Sequence, residues 1–228
     1  MQSKYAQLDN PVWHAIEGIH RHLGHQGQLA CRYEADVSPF AAVIEPTAEA
    51  LLELHQLIRA GGAVIAPFLA ALPPMPTLEI THLGNVLQMV AHDSPALVSD
   101  EGVRPLGPTD LEDMLQLVAA TRPGPFGRRT PEMGNYLGIH DKGRLIAMAG
   151  ERMQLNGFVE ISAVCVDDAY RGKGLAARLM NILRRDILRR GDLPFLHVLA
   201  ENTTAISVYR RLGFEDRQTF LLHQLRCN

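Results

Sequence analysis

The amino-acid sequence predicts a mixed α/β protein, of the α/β or α+β class, with helices flanking a mixed, mostly antiparallel sheet. Three observations carry that reading. Strand-like runs at 136–140 and 144–152 meet at Asp141-Lys142-Gly143, a hairpin composition. The run 158–166 then feeds a glycine-bearing loop and a long amphipathic helix over 174–190. A strand at 195–200, a helix at 203–212 and a strand at 220–225 continue the alternation.

Each element has a local cause. Over 46–60, Leu51, Leu54, Leu57 and Ile58 fall on one helical stripe, and Gly61 and Gly62 follow where a helix stops. Short strands are expected at 63–66 and 85–90, with the proline-rich stretch between them as loop. The tract 92–102 mixes polarities around Ser94, Pro95, Ser99, Asp100 and Gly102. It marks the expected boundary between an N-terminal α/β unit, 1–95, and a second unit, 103–228. Thr109 with Glu112 forms a capping box for a helix that buries Leu111, Leu115 and Val118. Residues 122–131 are a loop rich in Pro, Gly and Arg. In the long helix Leu175, Leu179, Ile182, Leu183 and Ile187 face inward and Gly191 ends it; Gly213 closes the next.

Composition bounds the function. The 228 residues hold 22 Lys plus Arg and 25 Asp plus Glu, a formal charge of −3. Residues 1–100 carry four basic against ten acidic side chains, and residues 101–228 eighteen against fifteen, so the positive charge lies in the second half. A sum this small is no footprint of nucleic-acid binding. Hydrophobic residues at 46% and charged residues at 21% exclude a disordered, collagen-like or coiled-coil chain. Cys31, Cys165 and Cys227 are too scattered for a disulfide framework or a CxxC metal site, which predicts a reducing, cytoplasmic setting. Residues 1–10 lack the apolar core of a secretory signal, and Gly61, Gly62, Pro67, Pro73, Pro74 and Pro76 break the uncharged stretch 60–78 as a spanning helix. His14, His20, His22 and His25 form no HExxH pair and read as a solvated face, so no metal is expected.

The most informative stretch is 164–177. Gly172 and Gly174 let the backbone approach a ligand, and the free N–H groups of the first helical turn favour a phosphate. A P-loop is excluded, because the spacing of GxxxxGK is absent and no Ser or Thr follows Lys173. Gly172, Gly174 and Ala177 satisfy the dinucleotide pattern G-x-G-x-x-A, with Asp192 as its acidic partner. Yet the turn does not directly follow Val166, Asp192 precedes the next strand, and too few residues follow Gly172 for the remaining sheet.

What remains is Arg-x-x-Gly-x-Ala at Arg171, Gly174 and Ala176. Asn202 opens the helix after the next strand, Tyr209 follows on it, and Leu212-Gly213-Phe214 close it, while Glu160 stands early in the preceding strand. By these residues the sequence resembles the GNAT superfamily of N-acetyltransferases. The run from Arg144 to Glu151 with Phe195-Leu-His-Val198 further resembles its subgroup of glycine N-acyltransferase-like proteins. The motifs cover about 103–220; the first hundred residues carry none.

The resemblance implies a GNAT-like fold and acyl-CoA, above all acetyl-CoA, as cosubstrate. Its pyrophosphate is expected on backbone N–H groups along Arg171, Gly172, Lys173, Gly174, Leu175, Ala176 and Ala177, a stretch that elementary physics also makes an anion nest. Val164 and Val166, with Cys165 between them, are implied to offer backbone groups to the pantetheine arm like an added strand. Asn202 is implied to reach the cosubstrate as well as to cap its helix. Amine acylation needs a neutral amine and a proton for the departing thiolate. Strand alternation puts Glu160, Ser162, Val164 and Val166 on one face, so Glu160 is the expected general base, at the cleft, with a carboxyl pKa raised by partial burial. The other reading pairs Glu160 with an arginine such as Arg152. Tyr209, on the helical stripe of Asn202, Ala205 and Ile206, is the expected general acid.

Cys165 points away from Glu160 by the same alternation and reads as core packing, so Cys165 with His197 is not a thiol nucleophile pair. Arg184, Arg185, Arg189 and Arg190 read as a basic outer helix face. The expected activity is direct attack of a primary amine, from a small molecule or a peptide, on acyl-CoA in a ternary complex. The alternative is an acyl-CoA-binding sensor or interaction module without turnover. Neither nucleic acid nor membrane is expected as a partner, and monomer and homodimer both stay open. The N-terminal unit is expected to pack on the catalytic one and shape the acceptor pocket; its strands and helix leave open a degenerate half of the same fold.

Overall fold

A computed structural model describes residues 5–58, 62–95 and 98–227. It opens with elements that the sequence left blank. α1 (Pro11–Glu17) starts on a proline, whose fixed φ suits a first helical turn, and buries Val12, Trp13 and Ile16. A small antiparallel sheet follows, β1 (Gly24–Gln26), β2 (Ala30–Tyr33) and β3 (Ala41–Val43). α2 (Ala48–Leu57) is capped by Thr47, whose hydroxyl accepts from the Ala50 N–H, and it buries Leu51 and Leu54 as the periodicity predicts. Gly61, the expected helix stop, lies outside the described residues.

The remaining strands build one eight-stranded sheet. They are β4 (Ala63–Phe68), β5 (Leu78–Ala91), β6 (Val103–Leu106), β7 (Tyr136–Asp141), β8 (Arg144–Leu155), β9 (Phe158–Val166), β10 (Leu193–Leu199) and β11 (Phe214–Cys227). Their order is β4-β11-β5-β10-β9-β8-β7-β6, and only β9 and β10 run parallel. Three helices join them, α3 (Leu111–Thr121), α4 (Leu175–Arg189) and α5 (Thr203–Arg211). β7 and β8 meet at Lys142 and Gly143, whose φ of 49° and 80° are the two positive angles of a type I′ hairpin turn.

β5 and β11 are far longer than their predicted cores. The outer half of β5 carries Glu79, Thr81 and His82, which hide its alternation, and pairing with β11 along the whole length holds it. β5 also pairs with β10, so it stands inside the sheet. The expected units 1–95 and 103–228 therefore share one sheet, and the stretch 92–102 only links β5 to β6.

Two apolar layers enclose the sheet. Leu179, Leu183 and Ile187 of α4 and Ile206 of α5 pack on Val159, Ile161, Leu196 and Val198. On the other face α1 packs against Phe158 and Phe195, and α3 against Tyr136, Met148 and Cys165. α3 departs from the predicted start. Thr109 lies in a 3-10 turn, and it is Asp110 that accepts from the Gly107 N–H at 2.9 Å while holding Arg104. The helix is thereby rotated so that Met114 and Leu117 are buried, leaving Leu111, Leu115 and Val118 half-buried.

Candidate active site

The parallel strands β9 and β10 stay together only briefly. Leu193, Pro194 and Phe195 pair with Phe158, Val159 and Glu160; beyond that point β9 pairs with β8 and β10 with β5. The sheet splits into a V whose apex is Glu160 and Phe195. A cavity of about 620 Å³ sits at its wide end, between the end of β9, the start of α4 and α5.

The phosphate end of this cavity is built from the glycine turn. Gly172 and Gly174 take φ of 76° and 74°, a region that L side chains avoid, and nothing lies within 4 Å of where their side chains would begin. Gly174 caps α4 with no side chain, so the N–H groups of Leu175, Ala176 and Ala177 lack intrahelical acceptors, and these three residues line the cavity. The loop before them is fixed to the hairpin: Arg144 ion-pairs with Asp167, and the Tyr170 hydroxyl donates to Asp141. Free N–H groups at the start of a helix are a favourable setting for an anionic group such as a phosphate. Arg171 lines the cavity, whereas Lys173 does not and instead stacks over Tyr170 at 4.7 Å. Val164, Cys165 and Val166 form the adjoining wall.

α5 supplies the opposite wall. Asn202 caps the helix, accepting from the Ala205 N–H at 3.1 Å, and also lines the cavity. Tyr209 is mostly buried, with its ring 6.2 Å from Phe214 edge-on, and burial pushes its phenol above the ordinary range, so it stays protonated. Thr121 and Pro123 close the cavity beside Cys165. They flank Arg122, a left-handed C-cap of α3 with φ 50°.

Glu160 is elsewhere, and the reason is one residue. Ala163 takes a φ of 51°, and β9 there gains a residue against β8, since Met148 and Gly150 pair with Cys165 and Ser162. Such a bulge reverses the alternation. Val164 and Val166 consequently face α4, and Glu160 faces the other side with Cys165. The expected common face of Glu160, Ser162, Val164 and Val166 does not form. Glu160 is 0% exposed, receives Arg152 Nε at 2.8 Å and Nη2 at 2.6 Å, and receives His197 Nδ1 at 2.8 Å. Burial pushes its carboxyl up, but the Arg152 charge and these hydrogen bonds outweigh it and hold the pKa at about 2. A raised pKa at the cleft is therefore replaced by a buried ion pair, the alternative that Arg152 offered.

That pair is part of a longer chain which local sequence could not announce. Since ionised Glu160 accepts from Nδ1, the His197 proton sits there and Nε2 is left as acceptor for the Gln88 amide at 3.1 Å. Gln88 also donates to the Leu8 carbonyl at 2.9 Å and accepts from Arg217 at 2.7 Å. Two other expectations change. His20 is not solvated: it is 2% exposed, bridging the Tyr33 hydroxyl and the Met133 carbonyl. Arg184 and Arg190 are not free on an outer face either, because Arg184 is buried against the Leu212 and Asp93 carbonyls and Arg190 pairs with buried Glu151. Among the described residues no group of three or more His, Cys, Asp or Glu is placed to hold a metal ion.

A splayed mixed sheet with a glycine turn at its gap is the architecture that defines the class of this protein. The FR47-like protein family matches residues 136–222, the stretch that builds this gap. A crystal structure assigned to the GNAT family, from Novosphingobium aromaticivorans, superposes with a TM-score of 0.90 at 34% identity, covering 97% of this chain and 98% of that one. The N-alpha-acetyltransferase RimI of Mycobacterium tuberculosis is 33% identical over 41% of this chain and 60% of its own length. The uncharacterized N-acetyltransferase YobR of Bacillus subtilis is 30% identical over 38% of this chain and 35% of its own. The matches thus span about a third to three fifths of these curated relatives. The chain belongs to the GNAT family of acetyltransferases, and its mixed, mostly antiparallel sheet flanked by helices is the GNAT fold.

Proposed function

We propose that the chain is an acyl-CoA-dependent N-acyltransferase, with acetyl-CoA as donor and a primary amine of a small molecule or peptide as acceptor. One observation carries the reading: the glycine cradle and the Tyr209 phenol line a single cavity at the split between β9 and β10. The cradle from Arg171 to Ala177 holds the diphosphate, and the free edge of Val164 to Val166 receives the pantetheine arm. The acyl group then lies toward the apex of the V, where an amine attacks its carbonyl carbon and the C–S bond breaks. Tyr209 gives its proton to the departing thiolate, a step worth about 10²-fold or more in rate, and regains one from solvent as the new amide nitrogen sheds its own. An ammonium acceptor loses its proton before it attacks, because only the neutral amine is a nucleophile. Glu160 is read here as a positioning group. The resemblance of the runs from Arg144 to Glu151 and from Phe195 to Val198 to glycine N-acyltransferase-like proteins is what supports a small-molecule amine beside a peptide one, and the three free thiols favour a reducing, cytoplasmic setting.

The test is to incubate the protein with acetyl-CoA and a panel of amines, amino acids and peptides while following free thiol. Amine-dependent thiol release is the expected result. Stabilisation by acetyl-CoA with no release for any amine favours the binding-module alternative, and stabilisation by NAD but not by acetyl-CoA sinks both.

A further inference from the structure

The V between β9 and β10 has a side-chain tie at its apex. Glu160 is the last β9 residue paired with β10, and two residues past its partner Phe195 stands His197. The His197–Glu160 hydrogen bond of 2.8 Å therefore crosses the two strands at the point where their backbones stop bonding. Both ends are anchored on the outer sides. Arg152 of β8 grips Glu160 through two hydrogen bonds, and its guanidinium lies 4.9 Å from the Phe40 ring. Gln88 of β5, directly opposite His197, holds the imidazole from behind. Arg217 holds Gln88 in turn. It occupies the bulge of β11 between Asp216 and Gln218, and it also contacts Asp9 and the Tyr5 carbonyl. Linked side chains thus run across five adjacent strands, β8, β9, β10, β5 and β11.

A buried string of this kind is an expensive way to gain stability, because removing ions from water offsets most of their attraction. Its position suggests what it secures. Val166 ends β9 six residues beyond the apex, about 20 Å away, so a tilt of a few degrees at the apex shifts the cavity wall by about 1 Å. We infer that the Arg152–Glu160–His197–Gln88 string is a clamp that fixes the opening angle between β9 and β10, making His197 and Glu160 positioning residues for the acyl-CoA arm. This rests on the acyltransferase reading above, and it gives the buried carboxylate a task other than proton abstraction.

Changes at His197 test this without stranding a charge, since Arg152 still satisfies Glu160. His197→Phe keeps the ring against Phe195 and Phe220, both 5.7 Å away, but cuts the tie. His197→Gln places its amide at the Nε2 position and cuts it too, whereas His197→Asn places an amide donor at Nδ1 and restores it. Binding of CoA to the whole chain is measured by calorimetry, alongside kcat, KM and the pH profile of the acetyl-CoA reaction. A wall displaced by about 1 Å in the Phe or Gln variant is expected to raise the CoA Kd about tenfold or more, with kcat at saturating donor within about threefold and Asn near wild type. The limbs of the pH profile stay where they are in the wild type. If both loss variants bind CoA as the wild type does, the clamp is wrong, and if they also lose kcat and a limb of the pH profile, Glu160 and His197 move protons instead. Where only one loss variant folds, normal CoA binding by that one overturns the clamp. Wild-type protein that binds no CoA removes the acyltransferase reading and the clamp with it.

Discussion

Two buried titratable groups, His20 and Glu160, are among those that make this molecule less stable in acid. His20 is held neutral: burial lowers its pKa from 6.5 to about 4. Between those values the unfolded chain binds a proton that the folded chain refuses, so stability falls as pH drops from about 6.5 to 4. Glu160 is lowered from 4.5 to about 2, so its contribution is complete above 4.5 and is lost as pH falls from there toward 2. Thermal melting is therefore expected to decline in two stages on acidification. In His20→Gln the upper stage should shrink, since His140 and His223 are also held below the usual histidine range by burial, while the lower stage persists; an upper stage of unchanged size would remove this account. Tyr209 lies at the same scale. Its burial without a charged neighbour suits a proton donor, and Tyr209→Phe should lower kcat about 10²-fold with the CoA Kd unchanged in calorimetry. A matching loss of affinity would make the phenol a binding group. Tyr209 was readable from its spacing after Asn202. For Glu160 the sequence offered both a base at the cleft and a pair with Arg152, and only the neighbours on β8 and β10 choose the pair.

At the scale of the element, two backbone devices shape the cavity. The first is the bulge at Ala163, which switches the residues of β9 that face α4 from the odd positions Val159 and Ile161 to the even positions Val164 and Val166. A left-handed residue with a side chain costs about 1–2 kcal/mol, so Ala163→Gly is expected to melt no lower than wild type. Ala163→Val, β-branched where φ is 51°, should melt several degrees lower, and scanning calorimetry of the pair distinguishes strain from packing. The second device is the glycine turn. A side chain at Gly174 meets no protein atom within 4 Å, so Gly174→Ala acts through φ and through the ligand space alone. It should destabilise the protein by about 1 kcal/mol and weaken CoA binding by more than that, which denaturation and calorimetry read separately. The turn was legible in the sequence because its glycines are local. The bulge was not, since Ala163 carries no composition that marks a positive φ.

The whole molecule depends on its first hundred residues for more than a covering layer. β5 stands between β10 and β11, and through Gln88 it carries the middle of the buried string. A chain beginning at residue 103 would expose facing edges on β10 and β11 and uncover the apolar surface around Phe158 and Phe195. Such a truncation is expected to show no cooperative melting in circular dichroism and to aggregate in size-exclusion chromatography. A soluble, cooperatively folding 103–228 fragment would show that the expected boundary near residue 95 is a folding boundary after all. The acidic excess of the N-terminal half has found a partial structural account: Glu53 accepts from the Leu29 and Ala30 N–H groups, Glu34 pairs with Arg129, and Asp9 with Arg217.

The sequence by itself determined the elements that local period and spacing dictate: the hairpin at Lys142 and Gly143, the strand of Phe158 to Val166, the amphipathic α4, and the anion-binding turn between them. These rest on neighbours within a few residues, which a linear pattern displays. Tertiary structure alone decided that β5 completes the sheet, that His197 joins Glu160 and Arg152, and that Val164 and Val166 turn to the side of β9 opposite that carboxylate. Strand partners are chosen across long separations, and one extra residue at Ala163 reverses a period of two, so a pattern that is right before the bulge predicts the wrong face after it.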